Sequence, residues 1–285
     1  MHPAPLPLSL TTIDRTLIMG VVNVTPDSFS DGGNWFSHEA AVQHGLLLRE
    51  QGADILDVGG ESTRPGAPRV DEDEELRRVI PVITELASHG AVISVDTTRA
   101  RVAQEAIAAG AHIINDVSGG LADDDMVHVA AQTGAVFVAM HWRGHAQVMD
   151  SLEVYDDVVD DVRRELLSRV EHLYEAGVRR EQIVLDPGLG FSKSGANNWP
   201  LLAHTPEFVE LGFPLLIGAS RKRFLGHLLA QPDMPPVPPE ARDHATAAIT
   251  ALSAFHGAWA VRVHNVSESA DALKVAHAWK SARTL

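Results

Sequence analysis

The sequence predicts a single α/β domain, a (β/α)8 barrel of the TIM type with a short N-terminal extension. Eight short apolar, β-branched runs alternate with segments whose apolar residues lie three and four positions apart. Several of these helical segments end at a glycine just before the next run. The 285 residues suffice for one such domain. Strands that are apolar throughout favour a parallel sheet, and eight units favour a closed barrel over a doubly wound open sheet, which remains the alternative.

The predicted elements follow one another without a linker. The strands are expected at 17–23, 53–59, 91–96, 112–117, 135–140, 182–188, 214–220 and 260–265. Segments between them, including 38–53, 71–90 and 153–178, have the one-sided pattern of amphipathic helices. Residues 1–16 are expected to form a hairpin or plug over the bottom of the barrel, and residues 17–285 the barrel itself. The proline-rich "QPDMPPVPPE" precedes a helical segment and indicates a surface loop.

Composition excludes several function classes. The net charge of −15, from 38 acidic and 23 basic residues, disfavours a nucleic-acid partner. The absence of cysteine excludes disulfides, thiolate zinc sites and a cysteine nucleophile, and it suits a cytoplasmic enzyme. No run approaches the roughly 18 apolar residues of a membrane span. The first ten residues also lack the pattern of a secretory signal.

Polar side chains stand at the carboxyl end of nearly every predicted strand. They are Asn23, Asp57, Glu61, Thr63, Asp96, Asn115, Asp116, His141, Asp186, Ser220, Lys222, Arg262 and His264. Any single Asp or Asn there could merely cap the next helix. Helix caps do not require Lys, Arg and His at the same positions, and the carboxyl ends of barrel strands meet at one mouth. The sequence therefore predicts an active site at that mouth.

The residues at this mouth also indicate the class of ligand. Two strand-to-helix loops, containing "TPDSFSDGG" and "GGESTRPGAPRVDEDEE", are long, as functional loops often are. "GASRKRFLG" places basic residues at a helix N-terminus, which favours an anion. The mouth combines Arg64, Lys222, Arg262 and His264 with the carboxylates Asp96 and Asp186. Basic groups suit phosphate, and carboxylates suit parallel N–H donors, so a polar heterocycle that carries phosphate is expected.

Seven segments resemble those of the dihydropteroate synthase family, in the same order and with similar spacing. They are "MGVVNVTPDSFSDGG", "DVGGESTRPGA", "SVDT", "INDVSGG", "LDPGLGFSK", "GASRKRFLG" and "RVH". The resemblance runs from Leu17 to Trp279, and "MHWR" is similar to the actinobacterial branch. It implies a barrel that joins 7,8-dihydropterin-6-ylmethyl diphosphate to 4-aminobenzoate, giving 7,8-dihydropteroate and diphosphate for folate biosynthesis. It also implies Mg²⁺ as cofactor, a homodimer, and sulfonamides as inhibitors in the aminobenzoate pocket.

The resemblance assigns residues to subsites. The pterin pocket falls on Asp96, Asn115, Met140, Asp186 and Lys222. The diphosphate pocket falls on Asn23, Thr63, Arg262, Val263 and His264, with Asn23 also a ligand of the metal. The aminobenzoate pocket falls on Thr63, Arg64, Pro65, Gly190, Phe191 and Ser220, and a mobile loop over the diphosphate contains Asp27 and Phe29. Asn23 can supply an amide oxygen to Mg²⁺, a hard ion that also accepts phosphate oxygens and water.

The implied reaction assigns catalytic roles to Asp96, Asp186, Lys222, Arg262 and His264. Arg262, His264 and Mg²⁺ would stabilise the departing diphosphate. Asp96 and Asp186 would stabilise positive charge that spreads into the pterin ring, which favours an SN1-like displacement. One position departs from the family pattern, because Asn265 replaces the usual Asp after His264. An Asn can still accept a hydrogen bond but loses the charge that favours imidazolium, so weaker diphosphate binding is expected.

Two other functions remain open at this point. A corrinoid-linked pterin methyltransferase domain would share the barrel and some of its strand-end acids. It would not need "SRKRF" or the "TPDSFSDGG" loop, and both are present. A catalytically silent paralogue acting as an interaction partner would be expected to show decay in "DPGLGFSK" or "SRK", and neither segment has decayed.

Overall fold

Eight parallel strands form the centre of the molecule. The structure, a computed structural model, describes residues 5–25, 33–61, 69–144, 153–193 and 195–282, without the side chains of 33–37. The strands are β1 (Leu17–Asn23), β2 (Ile55–Gly59), β3 (Ile93–Asp96), β4 (Ile113–Asp116), β5 (Val136–Met140), β6 (Ile183–Asp186), β7 (Leu216–Ile217) and β8 (Ala260–Val263). Their order in the sheet is β6-β5-β4-β3-β2-β1-β8-β7. A parallel bridge between Leu185 and Leu215 joins the two ends, which confirms the predicted (β/α)8 barrel.

Helices alternate with the strands around the barrel. They are α1 (Leu8–Thr11), α2 (Gly33–Glu50), α3 (Glu72–Ser88), α4 (Ala100–Ala108), α5 (Met126–Thr133), α6 (Val158–Glu175), α7 (Gly195–Ala203), α8 (Thr205–Val209), α9 (Arg223–Leu229), α10 (Asp243–Phe255) and α11 (Val266–Ala282). The described helices include none long and apolar enough to cross a membrane. Aspartate side chains set two helix starts: Asp71 accepts from the N–H of Glu74 before α3, and Asp157 caps α6.

Strand β7 is much shorter than the seven residues predicted. Only Leu216 and Ile217 pair as a strand, with β8. Pro214 has no N–H to donate, although its carbonyl accepts from the N–H of Leu185. Beyond the strand the chain turns, and the N–H of Lys222 bonds to the carbonyl of Ala219. The turn directs this segment of the chain into α9.

The barrel interior divides into an apolar lower layer and a polar upper layer. The lower layer contains Leu17, Met19, Ile55, Ile113, Val136, Val138, Val184, Leu216 and Ala260, all buried. The upper layer contains buried Asp57, Ser94, Asp96, Asn115 and Asp186, with Arg262 beside them. A separate, larger apolar cluster lies between the strands and the surrounding helices. Most of the apolar core therefore lies between the strands and the helices, and the polar upper interior is the part that can bind a ligand.

The N-terminal extension closes the lower end of the barrel. Within residues 5–16 the chain forms the single turn of α1, and a hairpin is not formed there. Leu6 and Leu10 are buried in the same cluster as Leu17 and Met19 at the start of β1. The extension therefore acts as a plug, because these two leucines cover apolar surface that would otherwise face water.

Candidate active site

Arg262 connects carboxylates that come from distant parts of the sequence. On β8, its Nε donates to Asp57 Oδ2 on β2 at 2.6 Å, and one terminal nitrogen donates to Asp96 Oδ2 on β3 at 2.6 Å. Burial lowers the pKa of Arg262, but the charges of Asp57 and Asp96 outweigh this and raise it above its ordinary value. The guanidinium is therefore permanently charged and has a fixed orientation at the centre of the mouth.

Asp96 is a carboxyl group close to its titration point at neutral pH. Burial raises the pKa of Asp96 to about 7, while the charge of Arg262 lowers it and the charge of Asp57 raises it. The ionised carboxylate accepts N–H donors on both oxygens and stabilises a cation, whereas the protonated form donates from one of its oxygens. A ligand that brings parallel donors or positive charge to this position would favour the ionised form.

Asp57 joins the arginine to the neighbouring amide, a role that the subsite assignment did not include. Its Oδ2 accepts from Arg262 and also from Asn115 Nδ2 at 3.1 Å. Its Oδ1 is buried and has no hydrogen-bond partner within the described part of the chain. The sequence identifies Asp57 as a strand-end acid, and its alternation with Ile55 on β2 is the signal that places it inside the barrel.

Asp186 and Lys222 form a second charged pair at the mouth. Asp186 Oδ1 accepts from the N–H of Gly188 at 2.7 Å. Burial raises the pKa of Asp186, and the charge of Lys222 lowers it. Burial lowers the pKa of Lys222 to about 8, while Asp186 raises it. Lys222 donates to the carbonyl of Leu189, and its Nζ lies 4.8 Å from the centroid of the Phe191 ring.

The turn after β6 passes very close to neighbouring chain segments. Gly188 and Gly190 have φ values of +68° and +74°, a region that favours glycine. A Cβ atom on Gly188 would lie 2.2 Å from the carbonyl oxygen of His141, and one on Gly190 would lie 3.0 Å from Lys222 Cδ. These two glycines allow the turn that carries Phe191 to lie against Lys222.

Ser220, three residues after β7, and His264, directly after β8, form a hydrogen-bonded pair. The N–H of His264 donates to Ser220 Oγ at 3.1 Å, and Ser220 Oγ lies 3.0 Å from His264 Nδ1. Since the hydroxyl accepts from the main chain, its own proton can be donated to Nδ1. In that arrangement the neutral imidazole carries its proton on Nε2.

Although Asn265 carries no charge, a carboxylate from another residue, Asp243, lies near His264. Asn265 Oδ1 accepts from the N–H of Glu268 at the start of α11, and its Nδ2 lies 3.3 Å from Asp243 Oδ2. Asp243 also binds Arg221 through two oxygens at 2.8 Å. Burial raises the pKa of Asp243, but Arg221, Asn265 and His264 lower it, and the net shift is downward. Asp243 thus supplies negative charge close to His264.

Three further predicted site residues differ in where their side chains lie. Asn23 is the half-buried last residue of β1, paired with Gly59 of β2. Met140, at the end of β5, is buried and lies in register with Asp186 of β6. The side chain of Val263 belongs to the apolar cluster between strands and helices. Any contact between Val263 and a ligand at the mouth would therefore come from its main chain.

Two strand-end polar residues bind to the protein itself. Asp116 caps the following turn by accepting from Ser118 and from the N–H of Gly120. His141 Nε2 lies 2.9 Å from Glu165, and its Nδ1 lies 2.9 Å from Lys193 Nζ. For Asp116 the simpler interpretation as a cap is correct.

Asp27, Phe29, Thr63, Arg64 and Pro65 lie outside the described residues.

The described residues contain no group of three or more His, Asp or Glu side chains arranged to hold a metal ion. Asn23 offers one hard amide oxygen at the mouth. Magnesium ions commonly take one or two protein oxygens and complete their coordination with water and substrate phosphates. The donor set therefore fits a metal that arrives with a phosphorylated ligand, and it does not fit a closed structural site.

Comparisons with known proteins agree with this geometry. Residues 19–264 match the family model described as "Pterin binding enzyme". The dihydropteroate synthase of Mycobacterium leprae (strain TN) is 54% identical over 263 residues, which cover 92% of this chain and 93% of that protein.

Solved structures of dihydropteroate synthases have the same fold. The Xanthomonas albilineans enzyme with 4-aminobenzoic acid has a TM-score of 0.86 at 46% identity, covering 95% of this chain and 94% of that one. Its complex with 7,8-dihydropteroate gives 0.84 at 43% identity, covering 96% of both. The Yersinia pestis enzyme with a sulfonamide drug gives 0.88 at 40% identity, covering 99% of both. The chain belongs to the pterin-binding enzyme family and, within it, to the dihydropteroate synthases.

Proposed function

We propose that this barrel condenses 7,8-dihydropterin-6-ylmethyl diphosphate with 4-aminobenzoate, giving 7,8-dihydropteroate and diphosphate. The observation that carries the proposal is Arg262, whose guanidinium bonds to Asp57 and Asp96 at the mouth that also contains Asp186 and Lys222. The relatives named above support the reaction, and nothing among them favours a corrinoid methyltransferase. A silent paralogue is disfavoured because the described catalytic side chains are all present.

The pterin subsite comprises Asp96, Asn115, Met140, Asp186 and Lys222. Carboxylates are acceptor-only when ionised and can take the parallel N–H donors of an amino-heterocycle. Burial raises the pKa of both Asp96 and Asp186. A cationic or donor-rich ligand at this position therefore stabilises the charge that the empty pocket disfavours. Met140 can pack on the ring face, since its thioether is polarisable and flexible.

The diphosphate subsite comprises Asn23, Arg262, His264, the main chain of Val263 and, outside the described residues, Thr63. Arg262 can form charge-assisted hydrogen bonds to phosphate oxygens with the N–H groups that Asp57 and Asp96 do not occupy. Its attachment to these two carboxylates fixes its orientation before substrate binds. Such preorganised positive charge stabilises the negative charge that develops as diphosphate departs.

Magnesium is the metal we assign to this subsite, with Asn23 as its protein ligand. When bound, Mg²⁺ neutralises charge on the diphosphate. Asn23, at the end of β1 and paired with Gly59 of β2, would hold the metal through its amide oxygen. Substrate oxygens and water would supply its other ligands.

The aminobenzoate subsite comprises Gly190, Phe191 and Ser220, together with Thr63, Arg64 and Pro65. Phe191 offers a ring face beside Lys222, and Ser220 lies at the end of β7 next to His264. Asp27 and Phe29 are assigned to the loop over the diphosphate. A sulfonamide resembles 4-aminobenzoate and would compete for this subsite.

The displacement follows from the two sides of the mouth. Arg262 and His264 stabilise the leaving diphosphate, and ionised Asp96 and Asp186 stabilise positive charge on the pterin as its C–O bond breaks. The amine of 4-aminobenzoate is already neutral, so its lone pair can attack the cationic methylene without a strong base, and the nitrogen then loses one proton to the departed diphosphate or to water. The mechanism is therefore SN1-like. Exchange of bridging and non-bridging diphosphate oxygens without aminobenzoate would support it, and a rate that depends strictly on amine nucleophilicity would contradict it.

The test of the function is an assay of the purified protein with dihydropterin diphosphate and radiolabelled 4-aminobenzoate, with and without Mg²⁺. We expect labelled dihydropteroate only when Mg²⁺ is present. Lys222→Ala and Asp186→Ala should each lower kcat/KM by about 10²-fold or more, as removal of preorganised charge does in other enzymes. Lys274→Ala is the matched control, because Lys274 is an exposed lysine on α11. Absence of product with the unaltered protein would overturn the proposal.

A homodimer is the assembly we propose, formed through α10 and α11. Three large apolar side chains are exposed there: Leu252 at 60%, Val275 at 61% and Trp279 at 67%. Val275 and Trp279 lie one turn apart on α11, so they share a face. Light scattering should give twice the chain mass, and Val275→Glu with Trp279→Glu should give a monomer.

A cytoplasmic location, favoured by the absence of cysteine, stays a prediction.

A further inference from the structure

We propose that Lys193 is a positioning residue for the aminobenzoate subsite, fixing the turn that carries Gly190 and Phe191. This inference rests on the function proposed above. Lys193 is buried at the end of that turn and is not among the residues assigned to any subsite. Its ammonium donates to the carbonyls of Gly188 at 3.0 Å and Phe191 at 2.9 Å. The third N–H faces Nδ1 of His141 at 2.9 Å.

The three acceptors match the three protons of a charged lysine. An ammonium group has three donors and no acceptor, so His141 Nδ1 must be unprotonated. The proton of His141 then lies on Nε2, which donates to Glu165 Oε2 at 2.9 Å. Burial and the charge of Lys193 together lower the pKa of His141 to about 4, although Glu165 raises it. The chain from Lys193 through neutral His141 to ionised Glu165 therefore has a single direction of donation.

The turn needs such restraint because one of its residues, Ser192, has a strained backbone conformation. Gly188, Gly190 and Ser192 all have positive φ values, and Ser192 has a side chain, with φ of +48°. A residue in this region persists only where the surrounding structure holds it there. Asn198 and Tyr155 assist: Asn198 Oδ1 accepts from the N–H of Gly190 at 2.7 Å, and the hydroxyl of Tyr155 donates to the carbonyl of Ser192 at 3.0 Å.

The same turn also connects Lys193 to Lys222, a residue of the pterin subsite. Lys222 donates to the carbonyl of Leu189, one residue after Gly188. The carbonyls on either side of this contact, at Gly188 and Phe191, are the ones that Lys193 holds. Movement of the turn would therefore displace both the Phe191 ring and the contact of Lys222 with Leu189. Because Phe191 is assigned to the amine substrate, the main effect should fall on 4-aminobenzoate.

The proton on Lys193 is sensitive to the surrounding charges. Burial lowers its pKa to about 7; Lys222 and Arg143 lower it as well, and Asp186 and Glu165 raise it. Above that pH the amine keeps only two donors for three acceptors, which loosens the turn. The KM for 4-aminobenzoate should therefore rise as pH increases through about 7, whereas 4-aminobenzoate does not change charge in this range.

The first test is Lys193→Met, which keeps an unbranched side chain only one atom shorter and removes its donors. In steady-state assays we expect the KM for 4-aminobenzoate to rise about 10-fold or more, with kcat and the KM for dihydropterin diphosphate changing less than about 3-fold. Lys274→Met makes the same chemical change at an exposed position and should leave all constants unchanged. Equal changes in both KM values, or no change, would overturn the inference.

Glu165→Gln provides a second test that does not remove the lysine. The charge of Glu165 raises the pKa of Lys193, so its loss should move the rise in the KM for 4-aminobenzoate to lower pH. A role limited to folding would not move this profile, and a profile identical to that of the unaltered protein would overturn the inference. If the unaltered protein makes no dihydropteroate, the proposed function itself fails. If it does, these two variants decide the role of Lys193.

Discussion

The barrel interior has a lower apolar half and an upper polar half, and on four of the strands the two halves are separated by two residues. Ile55 lies in the apolar layer, and Asp57 follows it in the polar layer. The same step separates Ile113 from Asn115, Val184 from Asp186, and Ala260 from Arg262. Alternate residues of a strand face the same side of the sheet. Moving two residues along these strands therefore leads from the apolar core to the binding site.

The two halves contribute differently to stability. Burying apolar side chains in the lower half stabilises the fold, at roughly 25 cal/mol per Å² of apolar surface removed from water. The upper half places Asp57, Asp96 and Arg262 out of water, and desolvation of such groups offsets much of their mutual attraction. Asp57 Oδ1 is buried without a hydrogen-bond partner in the described residues. The comparison indicates that the lower half holds the barrel closed while the upper half is kept for ligand.

The largest effect on the upper half should come from Arg262→Met. We expect kcat/KM to fall by about 10³-fold, since the charge facing the leaving diphosphate is lost. Stability should fall by about 3–5 kcal/mol as well, because Asp57 and Asp96 remain buried without their partner. Enzyme kinetics and denaturant unfolding measure the two effects. Activity within tenfold of the unaltered protein would show that Arg262 does not act on the substrate.

Ile55→Ala tests the lower half on the same strand. The side chain is fully buried, so its removal should cost about 2–5 kcal/mol of unfolding free energy. The kcat and both KM values should stay within about twofold, because the polar layer above is unchanged. Chemical denaturation and steady-state assays check this. A specific loss of activity with normal stability would show that the two halves are not separable as described.

A smaller effect is expected from Asp57→Asn, which keeps the shape of the side chain and removes its charge. The kcat/KM for dihydropterin diphosphate should fall as pH drops below about 7, where Asp96 becomes protonated. The charge of Asp57 raises the pKa of Asp96, and Arg262 lowers it. Removing the Asp57 charge therefore moves the acid limb of the pH profile to lower pH. An unchanged limb, or one displaced to higher pH, would contradict the assignment to Asp96.

Much of the fold and the mouth could be predicted from residue order alone. The eight apolar runs and the polar group at the end of each are local features, and both were identified. The bonds of Arg262 to Asp57 and Asp96 span 205 and 166 residues. Such contacts depend on closure and register of the barrel, which periodicity does not determine.

Side-chain direction was the other missing information. Asn115 and Asp116 are adjacent polar residues at the end of β4, and only Asn115 faces the mouth. Val263 likewise lies between Arg262 and His264 but points toward the helices. The resemblance also pointed to a loss of charge at Asn265, whereas Asp243, 22 residues earlier, places a carboxylate near His264. The strand pleat and the helix packing decide these cases.

The most direct test of a two-sided mouth is calorimetric titration of a pterin and, separately, of inorganic diphosphate with Mg²⁺. Asp186→Asn should weaken the pterin by about tenfold or more and leave diphosphate within about threefold, because it removes one charged hydrogen-bond acceptor from the pterin side. His264→Gln should do the reverse. Loss of both ligands in each variant, or of neither, would contradict a mouth in which one side binds the leaving anion and the other binds the pterin.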